Sequence, residues 1–233
     1  MSNGADPAPD SLVGLLGAVE RLEAEVQAMR MSALAQSSFE LDGRTYGYHV
    51  AKGNRTWDNE RAVEISVGWA AVHSHGRSET VIEVGNVLGH YFDIRHRVLD
   101  LNERHRCVTW NKDILEFEPP LAPELVVSIS TLEHVGHSDG PRRPEKFRQA
   151  VQATIGWLAP GGRLLFTVPL GYNPSVLGYL EDPSPQVTSM LFMRRVTLDN
   201  LWEQTNLSAV RDYRYGKPFP AANALAIVEA RAG

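Results

Sequence analysis

The sequence predicts an α/β fold: a doubly wound, mostly parallel sheet with an N-terminal helical extension and a small hairpin. Three observations predict it. Short apolar runs at 80–85, 97–101, 124–130 and 163–168 are separated by helix-like and loop stretches; strands alternating with helices make a parallel sheet covered on both faces. Glycine turns punctuate those runs, at Gly85 and Gly89 after the first and at Pro160-Gly161-Gly162 before the last. Finally, 233 residues with 43% hydrophobic and 22% charged composition suit one well-buried domain plus an appendage.

In chain order, the first ten residues read as a disordered tail. A helix over 11–37 follows, with Leu12, Leu15, Val19, Leu22, Val26, Met29 and Ala33 at alternating steps of three and four. That spacing is a heptad seam, and Glu20, Arg21, Glu23 and Glu25 lie off it. Two readings stand: an amphipathic helix packed on its own domain, or a helix paired with its copy in a homodimer. Gly14 and Gly17 weaken its first turns either way. The main domain spans 38–233. It opens with a hairpin over 39–50 around Asp42-Gly43, a favoured two-residue turn. A helix over 58–73 carries Ala62, Val63, Ile65, Val67 and Trp69 on its apolar face. Another spans 144–158. The stretch 173–195, rich in Pro, Ser and Met, reads as a long loop and hence a substrate lid. Strands at 208–215 and 224–230 close the chain.

Composition excludes some functions. With 23 basic against 28 acidic residues, a net charge of −5, no basic face is expected and no nucleic-acid partner follows. The one cysteine, Cys107, makes no intrachain disulfide and no cysteine-based zinc site. The N-terminus lacks the basic start and apolar core of a signal peptide, and no apolar run reaches membrane length. The expectation is a cytoplasmic protein without a membrane partner.

Ligands of a doubly wound sheet sit beyond the carboxyl ends of the strands, at the switch in strand order. The first such turn is 80–89. A dinucleotide-binding loop would place glycines at alternate positions and again three further on; starting from Gly85, the chain offers Val87 and His90 instead. The dehydrogenase reading therefore fails. What remains is Glu83 two places before Gly85 and Gly89 four places after it. Asp100 ends the second strand, where a carboxylate accepts both hydroxyls of a ribose or caps a turn.

Glu83, Gly85 and Gly89 resemble the first motif of class I S-adenosylmethionine-dependent methyltransferases, with Val87 in place of the middle glycine. Asp100 matches the family's ribose-binding acid. Trp110-Asn-Lys-Asp-Ile114 matches its third element, in which Asp113 accepts from the adenine amino group and Ile114 packs on the ring. The Pro160-Gly161-Gly162 turn is a common, structural family signature. The resemblance spans residues 80 to 230. It implies a Rossmann-like, seven-stranded sheet and S-adenosylmethionine as cofactor, with Asn86 and Ser130 completing its contacts. Arg61, before the first strand, becomes a candidate ion-pair partner for the cofactor carboxylate, against a plain surface-helix role. Val87 marks where the cofactor loop departs from the pattern, and it keeps open a catalytically silent subunit of a complex.

The loop 128–139 faces the transferable methyl in this fold. Methyl transfer is an in-line displacement, so alignment of the nucleophile dominates. An alcohol acceptor must also lose its proton, and imidazole is the best-matched base near neutral pH. His134 and His137 are the candidates, with Glu133 and Asp139 near enough to orient one of them. Sugar O-methyltransferases that resemble this chain use a His of this loop as base, which favours His134. A divalent ion such as Mg held by His137 and Asp139 is a further option. Tyr172 and Asn173, after the 163–168 strand, and Tyr91, beside the first loop, are candidate acceptor contacts, or simply packed. Asp139 joins them as an acceptor contact. Within the family, the wording of 81–91, 126–136 and 167–173 resembles small sugar O-methyltransferases of polysaccharide biosynthesis, of the mycobacterial methylmannose or methylglucose polysaccharide type. The expected activity is methylation of a sugar or oligosaccharide hydroxyl; the alternative is N- or carboxyl methylation of another small molecule.

Overall fold

Strand β3 (Val81–Val84) is buried along its whole length, as an unbroken apolar run between two neighbours requires. In the computed structural model, which describes residues 12–233, it pairs in parallel with β4 (Arg97–Leu99) on one side and β5 (Leu125–Ile129) on the other. Strand β6 (Arg163–Pro169) continues the parallel set beside β5. Beyond it lie β9 (Ala224–Arg231), β7 (Val187–Arg195) and β8 (Trp202–Thr205), each antiparallel to its predecessor. The order β4-β3-β5-β6-β9-β7-β8 makes a mixed, seven-stranded, Rossmann-like sheet. Five strands share one direction; β8 and β9 oppose them. A separate two-stranded hairpin, β1 (Ser38–Leu41) and β2 (Arg44–Gly47), turns at Asp42-Gly43 as expected.

Two apolar layers sandwich the large sheet. On one face α2 (Arg61–His75) buries Ala62, Val63, Ile65 and Val67 against Leu125, Val127 and Ile129. Gly68 is where α2 crosses β5: a Cβ there would lie 2.5 Å from Ile129 Cδ1. On the other face α3 (Glu145–Trp157) and α4 (Pro174–Glu181) bury Phe147, Val151, Tyr179 and Leu180. Full burial of side chains this large stabilises by about 1.5–3 kcal/mol each.

Three expectations are corrected. The 173–195 stretch is no lid loop: it folds as α4 and β7. Pro174 stands at the start of α4, where a missing N–H costs nothing, and Asn173 caps the helix by accepting from Ser175 N at 2.9 Å. The predicted strand at 208–215 is instead a short helix, α5 (Leu207–Val210), capped by Asn206 at 3.1 Å from Ala209 N; the strand lies just before it, as β8. Helical cover is also thinner than the alternating pattern predicts. Only a 3-10 turn at Leu88–His90 stands between β3 and β4, and a single bridge between Leu99 and Trp110 replaces a further parallel strand.

The N-terminal helix α1 (Leu12–Ala35) touches the body at its end. Leu34 is buried, while Arg30 pairs with Asp58 at 3.0 Å and Asp199 at 2.9 Å. The seam residues Leu12, Leu15, Val19, Leu22, Val26 and Met29 are all exposed. The seam therefore is not packed on its own domain. The tail expected over residues 1–10 lies outside the described residues. No described helix is long and apolar enough to cross a membrane.

Candidate active site

The chain runs from β3 outward to β4 and returns on the other side of β3 as β5, so the switch in strand order lies between β3 and β5. At the carboxyl ends of those strands the backbone is forced into unusual conformations. Gly85 has φ +83, and a Cβ there would lie 2.1 Å from Thr131 Oγ1. Ser130, a non-glycine residue, has φ +36, a conformation that persists only when its surroundings fix it. They do. Ser130 N donates to Thr167 O at 3.0 Å, and its hydroxyl donates to Glu64 Oε1 at 2.5 Å.

A cleft of about 250 Å³ opens at this switch point. Gly85, Asp100, Asp113 and Ile114 line it, so four of the predicted cofactor residues come together, with Val84, Leu99 and Val135 as apolar wall. Asp100 also caps its own turn: Oδ1 accepts from Asn102 N and Glu103 N, and Oδ2 from Asn86 N. The capping and ligand-facing readings of Asp100 thus both describe it. Asp113 accepts from Leu115 N and lies 3.8 Å from Lys146 Nζ. Asp139, expected at the acceptor, borders this cleft instead and accepts from Gly136 N at 2.8 Å.

Other members of the predicted set support the cleft without lining it. Glu83 is fully buried. Its Oε1 accepts from Val87 N and Leu88 N, and its Oε2 faces His96 Nε2 at 2.8 Å. Both of its oxygens are engaged in holding the turn. Asn86 is buried against Glu103. Gly89 is small because Asn86 Oδ1 and Cys107 occupy the place of a Cβ, at 2.3 and 3.0 Å. Val87 sits at φ −99 with its side chain among the α2-side apolar residues, so a middle glycine is not required.

A second, more polar cavity of about 180 Å³ adjoins these strand ends. Arg61, Ser130, Glu133, His134 and Tyr172 line it, together with Asn54, Asn59, Glu60 and Tyr215. Arg61 is on this side and not in the first cleft. It pairs with the buried Glu64 at 3.0 Å and donates to Ile129 O and Ser130 O. Burial raises Glu64 above the ordinary carboxylate value, while Arg61, Ser130 and Thr167 pull it back. Glu133, 1% exposed, is held well above that value by burial and then by the Glu64 charge.

His134 borders both cavities. Its Nδ1 lies 2.7 Å from Ser138 Oγ and 3.3 Å from Tyr172 OH, and its Nε2 lies 3.8 Å from Glu133 Oε1. Burial first, and then the Arg61 charge, lowers its pKa below the ordinary imidazole value, so it is neutral at pH 7. His137 lines neither cavity and packs edge-on to Tyr172. Among the described residues no group of three or more His, Cys, Asp or Glu is placed to hold a metal, which leaves the expected Mg option without support. Asn173 lines neither cavity; it caps α4 and donates to Glu133 O at 2.7 Å. Tyr91 lines neither cavity and donates to Gly53 O.

Glu60, Thr131 and Tyr215 also line these cavities without a sequence signal of their own: Glu60 stands beside the more conspicuous Arg61, Thr131 lacks titratable chemistry, and Tyr215 falls at the end of the segment expected as a strand.

The fold and these cavities define an α/β domain with a nucleoside-sized cleft at its switch point and a polar chamber beside it. No family model matches the chain, and no curated protein matches it. Among solved structures, the N-methyltransferase NodS from Bradyrhizobium japonicum, in complex with S-adenosylhomocysteine, is 14% identical with a TM-score of 0.49, over 88% of this chain and 98% of that one. An rRNA methylase from Streptococcus thermophilus is 9% identical with a TM-score of 0.45, over 73% and 97%. The glycopeptide N-methyltransferase MtfA is 12% identical with a TM-score of 0.39, over 73% and 87%. At these identities and TM-scores, the functional reading rests on the cleft and its residues.

Proposed function

We propose that the chain is an S-adenosylmethionine-dependent methyltransferase that methylates a hydroxyl of a sugar or oligosaccharide. The observation that carries this reading is the position of His134 on the wall shared by the two cavities. The first cleft fits an adenosyl group. Asp100 and Asp113 offer acceptor oxygens, Leu99 and Ile114 offer flat apolar contact, and Gly85 lets a ligand approach the backbone. When bound, the cofactor supplies a methyl carbon activated by a sulfonium. The protein's own contribution is placement: Gly85 and Ser130 fix the two strand ends, and His134 faces the acceptor cavity. With Nδ1 engaged by Ser138 and Tyr172, Nε2 is the nitrogen free to take the hydroxyl proton. Alignment of this kind is worth roughly 7–11 kcal/mol of a barrier.

The wording of the loop motifs makes methylmannose- or methylglucose-type oligosaccharides the first acceptors to try. The test is calorimetry with S-adenosylhomocysteine, followed by labelled-methyl transfer to an oligosaccharide panel. Binding with transfer that His134→Ala abolishes is expected; no binding at millimolar ligand overturns the reading.

We also propose that α1 pairs with its copy. Its exposed residues repeat at heptad spacing, and none of the seam positions is charged. Light scattering should show a dimer that Leu22→Glu with Val26→Glu converts to monomer. A wild-type monomer at high concentration disposes of the pairing.

A further inference from the structure

The second cavity carries a charge imbalance that a neutral sugar does not answer. Its wall holds two carboxyl groups, Glu60 and Glu133, and one guanidinium, Arg61. Arg61 is committed to a third carboxylate behind the wall, Glu64, and to two backbone carbonyls. Arg195, the next cation, spends its donors on the carbonyls of Asp58, Thr197, Leu198 and Pro220. Glu60 accepts from Ala222 N at 3.0 Å, and no lysine or arginine of the described residues forms an ion pair with it. Glu133 is more exceptional. It is 1% exposed, its Oε2 has no hydrogen-bond partner, and among the described residues its only basic group within ion-pair distance is the neutral His134 imidazole, 3.8 Å away. A buried acceptor left without a donor is costly, and such atoms in folded proteins call for a partner.

We propose that this cavity recognises a protonated amine on the acceptor, with Glu60 as its standing counter-charge and Glu133 giving up its proton to solvent as the ammonium binds, so that the acceptor is an amino sugar. The proposal rests on reading the cavity as the acceptor seat. An ammonium carries three donors and one positive charge, which supplies both the missing hydrogen bond and the missing cation. The aromatic wall suits it too. Tyr172 and Tyr215 stand edge-to-face with centroids 5.4 Å apart, and an aromatic face attracts a cation. The Tyr215 hydroxyl is pushed up to about 12, first by burial and then by the Glu60 charge, with Arg61 opposing.

The test is calorimetric titration of the full chain with glucosamine, glucose and N-acetylglucosamine, with and without S-adenosylhomocysteine. Glucosamine should bind at least ~10-fold tighter than the two neutral sugars, because a site built around a polar group rejects analogues that lack it. Glu133→Gln and Glu60→Gln should each erase that preference while retaining S-adenosylhomocysteine binding, which reports an intact fold. Equal or no binding of glucosamine by the wild type overturns the proposal, and this comparison stands even where a variant fails to fold. Retained amine preference in both folded variants overturns it as well. Failure of S-adenosylhomocysteine to bind sinks the methyl-transfer reading alone, since the titrations without it still decide the amine.

Discussion

Replacing Gly85 by alanine perturbs the contact between the turn after β3 and Thr131, just after β5, on the wall of the first cleft. Two costs add. The residue sits at φ +83, and the left-handed region costs an L-residue roughly 1–2 kcal/mol. The new Cβ would also fall 2.1, 2.6 and 2.8 Å from Oγ1, Cγ2 and Cβ of Thr131. Thr131 has little room to yield, because its hydroxyl donates to Ile129 O and the preceding Ser130 is itself strained. Overpacking of that kind costs roughly 1–3 kcal/mol, so the sum is about 2–5 kcal/mol. Urea unfolding followed by tryptophan fluorescence measures it. Thr131→Ala removes two of the three clashing atoms, so Gly85→Ala in that background should recover roughly 1–2 kcal/mol after correction for the single mutant. The backbone share should remain. A loss under about 0.5 kcal/mol in Gly85→Ala, or no coupling to Thr131, would refute the geometry.

Three further outcomes follow from the same site. His134 titrates below the ordinary imidazole value, so kcat/KM should be flat through neutrality and fall only as pH drops below about 6.5; His134→Ala should remove that limb, and a wild-type limb above about 7 would contradict the placement. Glu133 holds its proton in the folded protein to a higher pH than in the unfolded chain. Its contribution to stability is therefore full below the ordinary carboxylate value and lost as pH rises through the raised one. Chemical denaturation at about pH 5 and pH 8 should show a smaller decline for Glu133→Gln than for wild type, and equal declines count against a buried, protonated Glu133. Asn173→Ala removes both the cap on Ser175 N and the bond to Glu133 O, for a loss of about 2 kcal/mol read by thermal or urea unfolding; a change within about 0.5 kcal/mol would return Asn173 to the surface.

What the sequence disclosed follows from how local each feature is. Gly85, Asp100, Asp113 and Ile114 were legible because each occupies a fixed offset from a strand end, and strand ends are set by short-range patterns. They all border the first cleft. Glu83 and Gly89 keep that offset for a different reason: one ties the amides of Val87 and Leu88, and the other makes room for Asn86 and Cys107. A motif position therefore fixes where a residue sits and leaves open which way its side chain works. The segments that misled were those where one residue type serves two structures. Pro174 marks a loop by composition, yet it starts a helix once Asn173 caps it.

The acceptor cavity was less legible because it is assembled from afar. Glu60 enters from the segment before α2, Glu133 and His134 from the turn after β5, Tyr172 from the end of β6, and Tyr215 from the segment before β9. No local pattern records that four separate segments converge, nor that the convergence leaves one carboxyl oxygen without a donor. His134 suits an alcohol acceptor as base, and the same imidazole, kept neutral by burial and then by Arg61, would equally take a proton from an ammonium held by Glu133. The histidine alone thus does not decide the acceptor. The carboxyl pair facing it is what the amino-sugar proposal rests on, because a neutral hydroxyl has no need of two acidic neighbours, whereas an ammonium finds both in this cavity.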